Sequence, residues 1–247
     1  MTNLQGKTAL ITGGSRGLGK DVAFFLGRLG ANVVVNYLQD KDAAEKVVAR
    51  IKGTGADAES IQADVREWEQ VEKLVSRIIA RFGSIDILIN NVGDFITSPL
   101  LKMDINDWHN MLDSNLHSAF YCSKAVIPFM QKRKFGRIVN IALANANRIH
   151  AYKTVAAYAI AKTGVLILTK SLAVEVAPFG ITINAVSPGL MDNGSVLQNQ
   201  IDEMIPQIPL GRAGTANDIA GAIGYLLSDE ASYVTGTEIL VSGGWGL

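Results

Sequence analysis

Two residues past the middle of the chain have the types and spacing for proton chemistry. Tyr158 and Lys162 stand four apart in AYAIAK, so on a helix they share one face. A free phenol, with a pKa near ~10, is a poor acid–base catalyst at neutral pH. An ammonium beside it stabilises the phenolate and lowers that value. The segment that leads to the pair, GRIVNIALANANRIHAYKTVAAY, contains no serine. Its other hydroxyls, Tyr152 and Thr154, come late in the segment.

A second set of residues suits an anionic ligand. A β-branched run leads into TGGSRGLG at residues 12–19, which places Gly13, Gly17 and Gly19 between a strand and a helix. Glycine lets the backbone approach a pyrophosphate closely, and the following helix turns free N–H groups and its positive dipole end towards phosphate. Ser15 and Leu18 complete the turn. Arg16 lies within it, where planar donors suit a 2′-phosphate. The next strand ends VVVNYLQD. Asn36 and Tyr37 stand where an NAD site commonly carries an acid for the ribose 2′-OH, and Asp40 comes later. The pattern predicts NADP(H).

These residues need a frame, and the alternation along the chain supplies one. Short β-branched runs occur at 8–12, 31–37, 58–63, 85–90, 137–141, 181–186 and 238–241. Helical spacing fills 19–29, 42–54, 67–82, 105–133, 158–177 and 216–227. Strand and helix alternating in this way predict βαβ crossovers. The expected fold is α/β: a single doubly wound Rossmann-type domain over residues 1–247, with a parallel seven-stranded sheet. The irregular segment 188–211 mixes Gly, Pro and Asn with Met191, Val196, Leu197, Met204 and Ile205. That composition suits a substrate lid.

Composition narrows the partners. The chain has 247 residues and a formal net charge of zero, whereas a sequence-independent nucleic-acid binder needs a surplus of Lys and Arg. The lone Cys122 sits in an apolar helical stretch and reads as a small buried hydrophobe. No apolar run approaches the ~18 residues of a membrane span, and no signal-peptide core precedes the first strand. A cytoplasmic protein without membrane or nucleic-acid partners is expected. His109, His117 and His150 are scattered without ligand spacing, so no metal is expected.

Taken in order, residues 12–19, the run Asn90, Asn91, Val92, Gly93, then Asn115, Tyr158, Lys162, Ser187, Pro188, Gly189, Thr235 and Gly236 resemble the short-chain dehydrogenase/reductase family across essentially the whole chain. Within it the sequence is most similar to the 3-oxoacyl carrier-protein reductase branch. The resemblance implies that Asp64 and Val65 hold the adenine edge, and that Asn91, Val92 and Gly93 pass near the ribose. It implies that Pro188, Gly189 and Met191 border the nicotinamide, with Asn193 at the carboxamide. Lys162 would also bond the nicotinamide ribose, and Asn115 would anchor a water near it. A homotetramer built on the helices of Asn115 and Tyr158 is implied. So is a carrier protein, docked on Lys132, Arg133 and Lys134 beside the entrance. Phe179 stands where a second basic residue often sits.

The resemblance also exposes a departure. The family reads I-V-N-I-S-S, and its second serine polarises the substrate carbonyl. This chain has Leu143 there, and the stretch up to Tyr158 is two residues longer. Counting back from Tyr158 selects Asn145 instead, whose NH₂ is a donor. Two readings stay open: Asn145 replaces the serine, or nothing does. The functional readings are correspondingly three: an NADPH-dependent carbonyl reductase, perhaps of a 3-oxoacyl thioester; a degenerate NADP(H)-binding sensor or scaffold; or a reductase of C=N or C=C bonds.

Overall fold

Short runs rich in Val and Ile bury both faces under helices, which favours parallel strands. A computed structural model describes residues 2–192 and 198–246. Its strands are β1 (Thr8–Ile11), β2 (Asn32–Tyr37), β3 (Ala58–Gln62), β4 (Ile87–Asn90), β5 (Gly136–Ile141), β6 (Ile181–Pro188) and β7 (Glu238–Val241). They form one seven-stranded sheet in the order β3-β2-β1-β4-β5-β6-β7, with every pairing parallel.

The helices are α1 (Gly17–Arg28), α2 (Lys41–Lys52), α3 (Trp68–Phe82), α4 (Ile105–Leu112), α5 (Ser118–Arg133), α6 (Ala156–Val176), α7 (Gln198–Met204) and α8 (Ala216–Leu226). Their apolar faces make two core layers. Val22, Leu26, Val47, Ile51, Ile219 and Ile223 cover one side of the sheet. Val71, Leu74, Ile78, Val126, Met130 and Val176 cover the other, with Cys122 buried among them.

The sequence predicts one helix over 105–133, and here the structure differs. A π turn, Asp113–His117, separates α4 from α5. Its cause is local chemistry. Ser114 Oγ donates to Asn110 O at 2.6 Å, Asn115 Nδ2 to Met111 O at 3.0 Å, and Ser118 Oγ to Ser114 O at 2.5 Å. Each side chain takes a carbonyl four residues back, in competition with the backbone ladder, and the helix widens by one residue.

The end of β2 also differs from expectation. Asn36 and Tyr37 are both buried. Asn36 Oδ1 accepts from Gly13 N at 3.3 Å, and its Nδ2 donates to Ala63 O at 2.9 Å and Ile61 O at 3.4 Å. Tyr37 packs into the core beside β1. Neither side chain faces outward to meet a ribose substituent, because the first braces the glycine turn and the second fills space below it. Asn36→Ala should leave buried partners on both sides unsatisfied, at about 2–3 kcal/mol. Urea unfolding should show a lower midpoint with an unchanged m-value.

Candidate active site

The strand order reverses between β1 and β4, and in such sheets ligands bind beyond the carboxyl ends of the strands at that point. Here the two loops are laced together. Thr12 Oγ1 accepts from Asn91 N at 2.9 Å and Val92 N at 3.2 Å. Asn91 Nδ2 returns bonds to Thr12 O at 3.0 Å and Gly13 O at 3.3 Å. Gly19 must be glycine, because a Cβ there would collide with Gly13 O and Asn91 Nδ2. The turn is thus pinned from β4 by Asn91 and from β2 by Asn36. Arg16, at the start of α1, is exposed.

Asp64, which the resemblance sets at the adenine edge, belongs to a network that the sequence did not announce. Arg66 clasps Asp64 through Nε to Oδ1 at 2.9 Å and Nη2 to Oδ2 at 2.7 Å. This pairing holds the Asp64 carboxyl below its usual range. The same Arg66 donates to Asn110 Oδ1 at 2.7 Å, and Asn110 Nδ2 donates to Asp94 Oδ2 at 2.9 Å. Val65 beside it is buried.

Tyr158, Lys162, Asn115 and Gly93 come together at the carboxyl end of the sheet. Lys162 is 3% exposed, and its Nζ donates to Ile141 O, the last carbonyl of β5, at 2.8 Å. Nζ lies 5.6 Å from the centre of the Tyr158 ring. Asn115 donates to Asp94 O at 2.9 Å, while its buried Oδ1 has no partner among the described residues. A Cβ on Gly93 would collide with that oxygen and stand 3.4 Å from Lys162 Nζ. The absent side chain is what lets amide and ammonium share the space.

The electrostatics correct one expectation. Burial pushes the Tyr158 phenol up to about 12 and the Lys162 ammonium down to about 8. Desolvation therefore outweighs the cation's pull on the phenol in this arrangement. Phe95 adds to the enclosure, meeting the Tyr158 ring edge-on at 5.0 Å.

Leu143, where the resemblance implies a serine, lies in apolar surroundings. Leu143 packs on a small cluster of Ala142, Ala146, Val165, Leu166 and Ala185. Asn145, the candidate of one of the two open readings, makes its bond elsewhere. It occupies the left-handed region at φ 65°, and its Nδ2 donates to Trp245 O at 3.3 Å. Arg148 Nη1 adds a bond to Gly246 O at 2.9 Å. The loop after β5 is tied to the C-terminal segment, and Asn145 is part of the tie.

After β6, Pro188 O accepts from Ala144 N at 3.0 Å and Gly189 N donates to Val241 O at 3.0 Å. Met191 bridges to Gly214 and packs against the core. Asn193, Val196 and Leu197 lie outside the described residues. The basic run Lys132, Arg133, Lys134 ends α5 just before β5 begins. It therefore stands at the amino end of the sheet, opposite Tyr158, and a single chain does not bring it beside the entrance as the resemblance implied.

A family model described as enoyl-(acyl carrier protein) reductase matches residues 13–246. The chain belongs to the short-chain dehydrogenase/reductase family. It is 40% identical over 246 residues to the 3-oxoacyl-(acyl-carrier-protein) reductase FabG of Staphylococcus epidermidis, covering 96% of this chain and 98% of that one. It is 38% identical over 251 residues to 3beta-hydroxysteroid dehydrogenase 1 of Eggerthella lenta, covering 99% and 95%. Among solved structures, a short-chain type dehydrogenase/reductase from Mycobacterium marinum superimposes with a TM-score of 0.92 at 34% identity, over 99% of this chain and 97% of that one. Membership makes the protein an oxidoreductase of a family that works with nicotinamide cofactors.

The buried lysine of this family member yields a pH test. An ordinary lysine titrates near ~10.4, whereas Lys162 titrates near about 8. Between these values the unfolded chain holds a proton that the folded chain has released, so stability rises with pH. Below about 8 the cost, on the order of 3 kcal/mol, is fully present. Lys162→Met should raise the Tm of the unliganded protein at pH 7, and the gain should shrink as pH climbs towards 10. Tyr158 and Cys122, both raised by burial, act in the opposite sense at high pH but cancel between wild type and variant. A difference in Tm that does not change with pH would refute the buried charge.

Proposed function

We propose that the protein is an NADPH-dependent carbonyl reductase in which Tyr158 supplies the proton. A 3-oxoacyl thioester is the first substrate class to try. One observation supports this above the others: a buried lysine held beside a phenol, with an amide oxygen near the lysine that has no partner among the described residues. A protein that only bound a cofactor would have little use for so costly a placement.

The residues present fit the cofactor. Gly13, Gly19 and Gly93 let the loops around the site close against one another where a Cβ would strike protein atoms, and the orphaned Asn115 Oδ1 awaits a donor. When bound, the nicotinamide supplies a hydride. Gly13, Ser15, Gly17, Leu18 and Gly19 would receive the pyrophosphate. Asp64 and Val65 would meet the adenine, Asn91, Val92 and Gly93 the ribose side, and Pro188, Gly189 and Met191 the nicotinamide. Lys162 would turn from the Ile141 carbonyl towards the ribose, and Asn115 would hold a water beside it. A phenol, even one raised by burial, is a stronger acid than an alcohol, so Tyr158 can protonate a developing alkoxide downhill. The Lys162 cation then stabilises the phenolate left behind.

The phosphate preference rests on charge. The Arg16 side chain is exposed and makes no hydrogen bond or ion pair among the described residues. Ser15 lines a cavity of about 260 Å³ shared with Lys20 and Lys46. Asp40, the acid nearest the end of β2, accepts from Ala43 N at 2.8 Å and caps α2. The relatives' names span a carrier thioester and a steroid, so substrate choice is read here as the work of the lid at 188–211 and the loop after β5. Ile160, Ile167 and Val174 form an exposed stripe along α6, with Phe120 exposed on α5, which suits a homotetramer. A carrier protein docked on Lys132–Lys134 then requires a neighbouring subunit's patch. Leu143 favours a second reading, reduction of C=N or C=C bonds, where a carbonyl-polarising donor matters less.

NADPH should raise the Tm more than NADH at equal concentration, since binding stabilises the native state by mass action, and Arg16→Ala should shrink the gap. Equal shifts in the wild type would remove the NADP assignment. In a turnover screen of ketones, 3-oxoacyl thioesters, imines and activated alkenes, carbonyl compounds should lead. Tyr158→Phe should abolish that turnover with NADPH affinity nearly unchanged, and retained activity would reject Tyr158 as the acid.

A further inference from the structure

Reduction of a carbonyl builds negative charge on oxygen, and a donor aimed at that oxygen is commonly worth ~10²–10³ in rate. The two positions to which the resemblance points lack such a donor aimed at a substrate. Leu143 is an apolar side chain in an apolar cluster, and Asn145 is turned to Trp245. Between them and Tyr158 lies one hydroxyl with an unexplained environment. The Tyr152 oxygen is buried and has no hydrogen-bond partner among the described residues. A buried hydroxyl without a partner is uncommon and destabilising, and such groups often serve a ligand.

Tyr152 lies in the loop that leads from β5 to the helix of Tyr158. It lies six residues before Tyr158, immediately ahead of α6, and its ring leans on His150 at 4.1 Å between centres. Ser98 N donates to Thr154 O at 2.7 Å. This bond lays the loop along the segment that carries Phe95, the ring that meets Tyr158 edge-on. On its other flank the loop is anchored by Thr163 Oγ1 to Ala146 O at 2.8 Å and by the ties to Trp245 and Gly246. The loop is built to hold a side chain in place.

We propose that Tyr152 has taken over the task of the missing serine and donates a hydrogen bond to the substrate carbonyl oxygen. The inference rests on the carbonyl-reductase reading above. In the step, the carbonyl carbon receives the hydride, the C=O π pair collects on oxygen, and Tyr158 delivers the proton to that oxygen. Tyr152 keeps its own proton throughout, and no bond to it forms or breaks. Burial raises its pKa, so it stays a neutral donor wherever the enzyme works near pH 7.

Tyr152→Phe separates this role from a structural one. With NADPH and the best carbonyl substrate of the screen, kcat should fall ~10²–10³-fold. The Kd for NADPH should be unchanged. The Tm of the unliganded protein should hold or rise, since the change removes a buried hydroxyl without a partner. A kcat within about twofold of wild type overturns the proposal, and so does a loss of activity matched by a loss of Tm. If the wild type reduces no ketone or thioester in the screen, the carbonyl-reductase reading fails and takes this role with it. If the wild type is active and Tyr152→Phe equally so, only Tyr152 is rejected.

Discussion

Desolvating an ammonium is among the costliest things a fold can do, and here it is done for Lys162 with a single backbone carbonyl as partner. Much of the surrounding design follows from that placement. The carbonyl must come from the last residue of β5, so β5 and α6 are fixed in register at one point. Gly93 must lack a side chain, because Asn115 and Lys162 crowd the space one would fill. Below the lysine, Asn90 donates to Asn140 at 2.8 Å and Asn140 to Thr169 at 2.8 Å. This buried relay crosses β4, β5 and α6 and leaves those elements little freedom to slide.

A fold that accepts such a cost without compensation inside the protein is arranged for something outside it. The orphaned Asn115 oxygen and the buried Tyr152 hydroxyl belong with the lysine in this respect. The lysine and the Asn115 oxygen lie around the carboxyl end of β4 and β5, and Tyr152 follows in the loop between β5 and α6. At the opposite end of the sheet Asp86 Oδ2 accepts from Thr8 N at 2.9 Å and Ser84 Oγ at 2.8 Å, while Oδ1, 3.5 Å from Arg133 Nε, has no hydrogen-bond partner among the described residues.

The strands and most helices were legible because their patterns are local: β-branched runs two faces deep, and apolar residues at helical spacing. Tyr158, Lys162, Asn115 and the glycine turn were legible because their types and spacing carry their chemistry. What escaped was long-range. Asn36 reads as a strand-end residue facing ligand, yet three bonds to Gly13, Ile61 and Ala63 turn it inward. Asn145 matched by counting, but a bond across the chain to Trp245 decides where it points. The chain from Asp64 through Arg66 and Asn110 to Asp94 joins residues far apart in sequence, and only a bidentate arginine at an unremarked position hints at it.

The π turn between α4 and α5 has a consequence for how this stretch stores information. One added residue rotates everything after it by about 100° relative to a regular helix. Side chains before and after Asn115 are therefore written in two reading phases of the same helical alphabet. A single hydrophobic repeat fitted across 105–133 averages the two and finds neither. A one-residue deletion inside the turn would spare both flanking helices as helices while rewriting which of their faces meets the core.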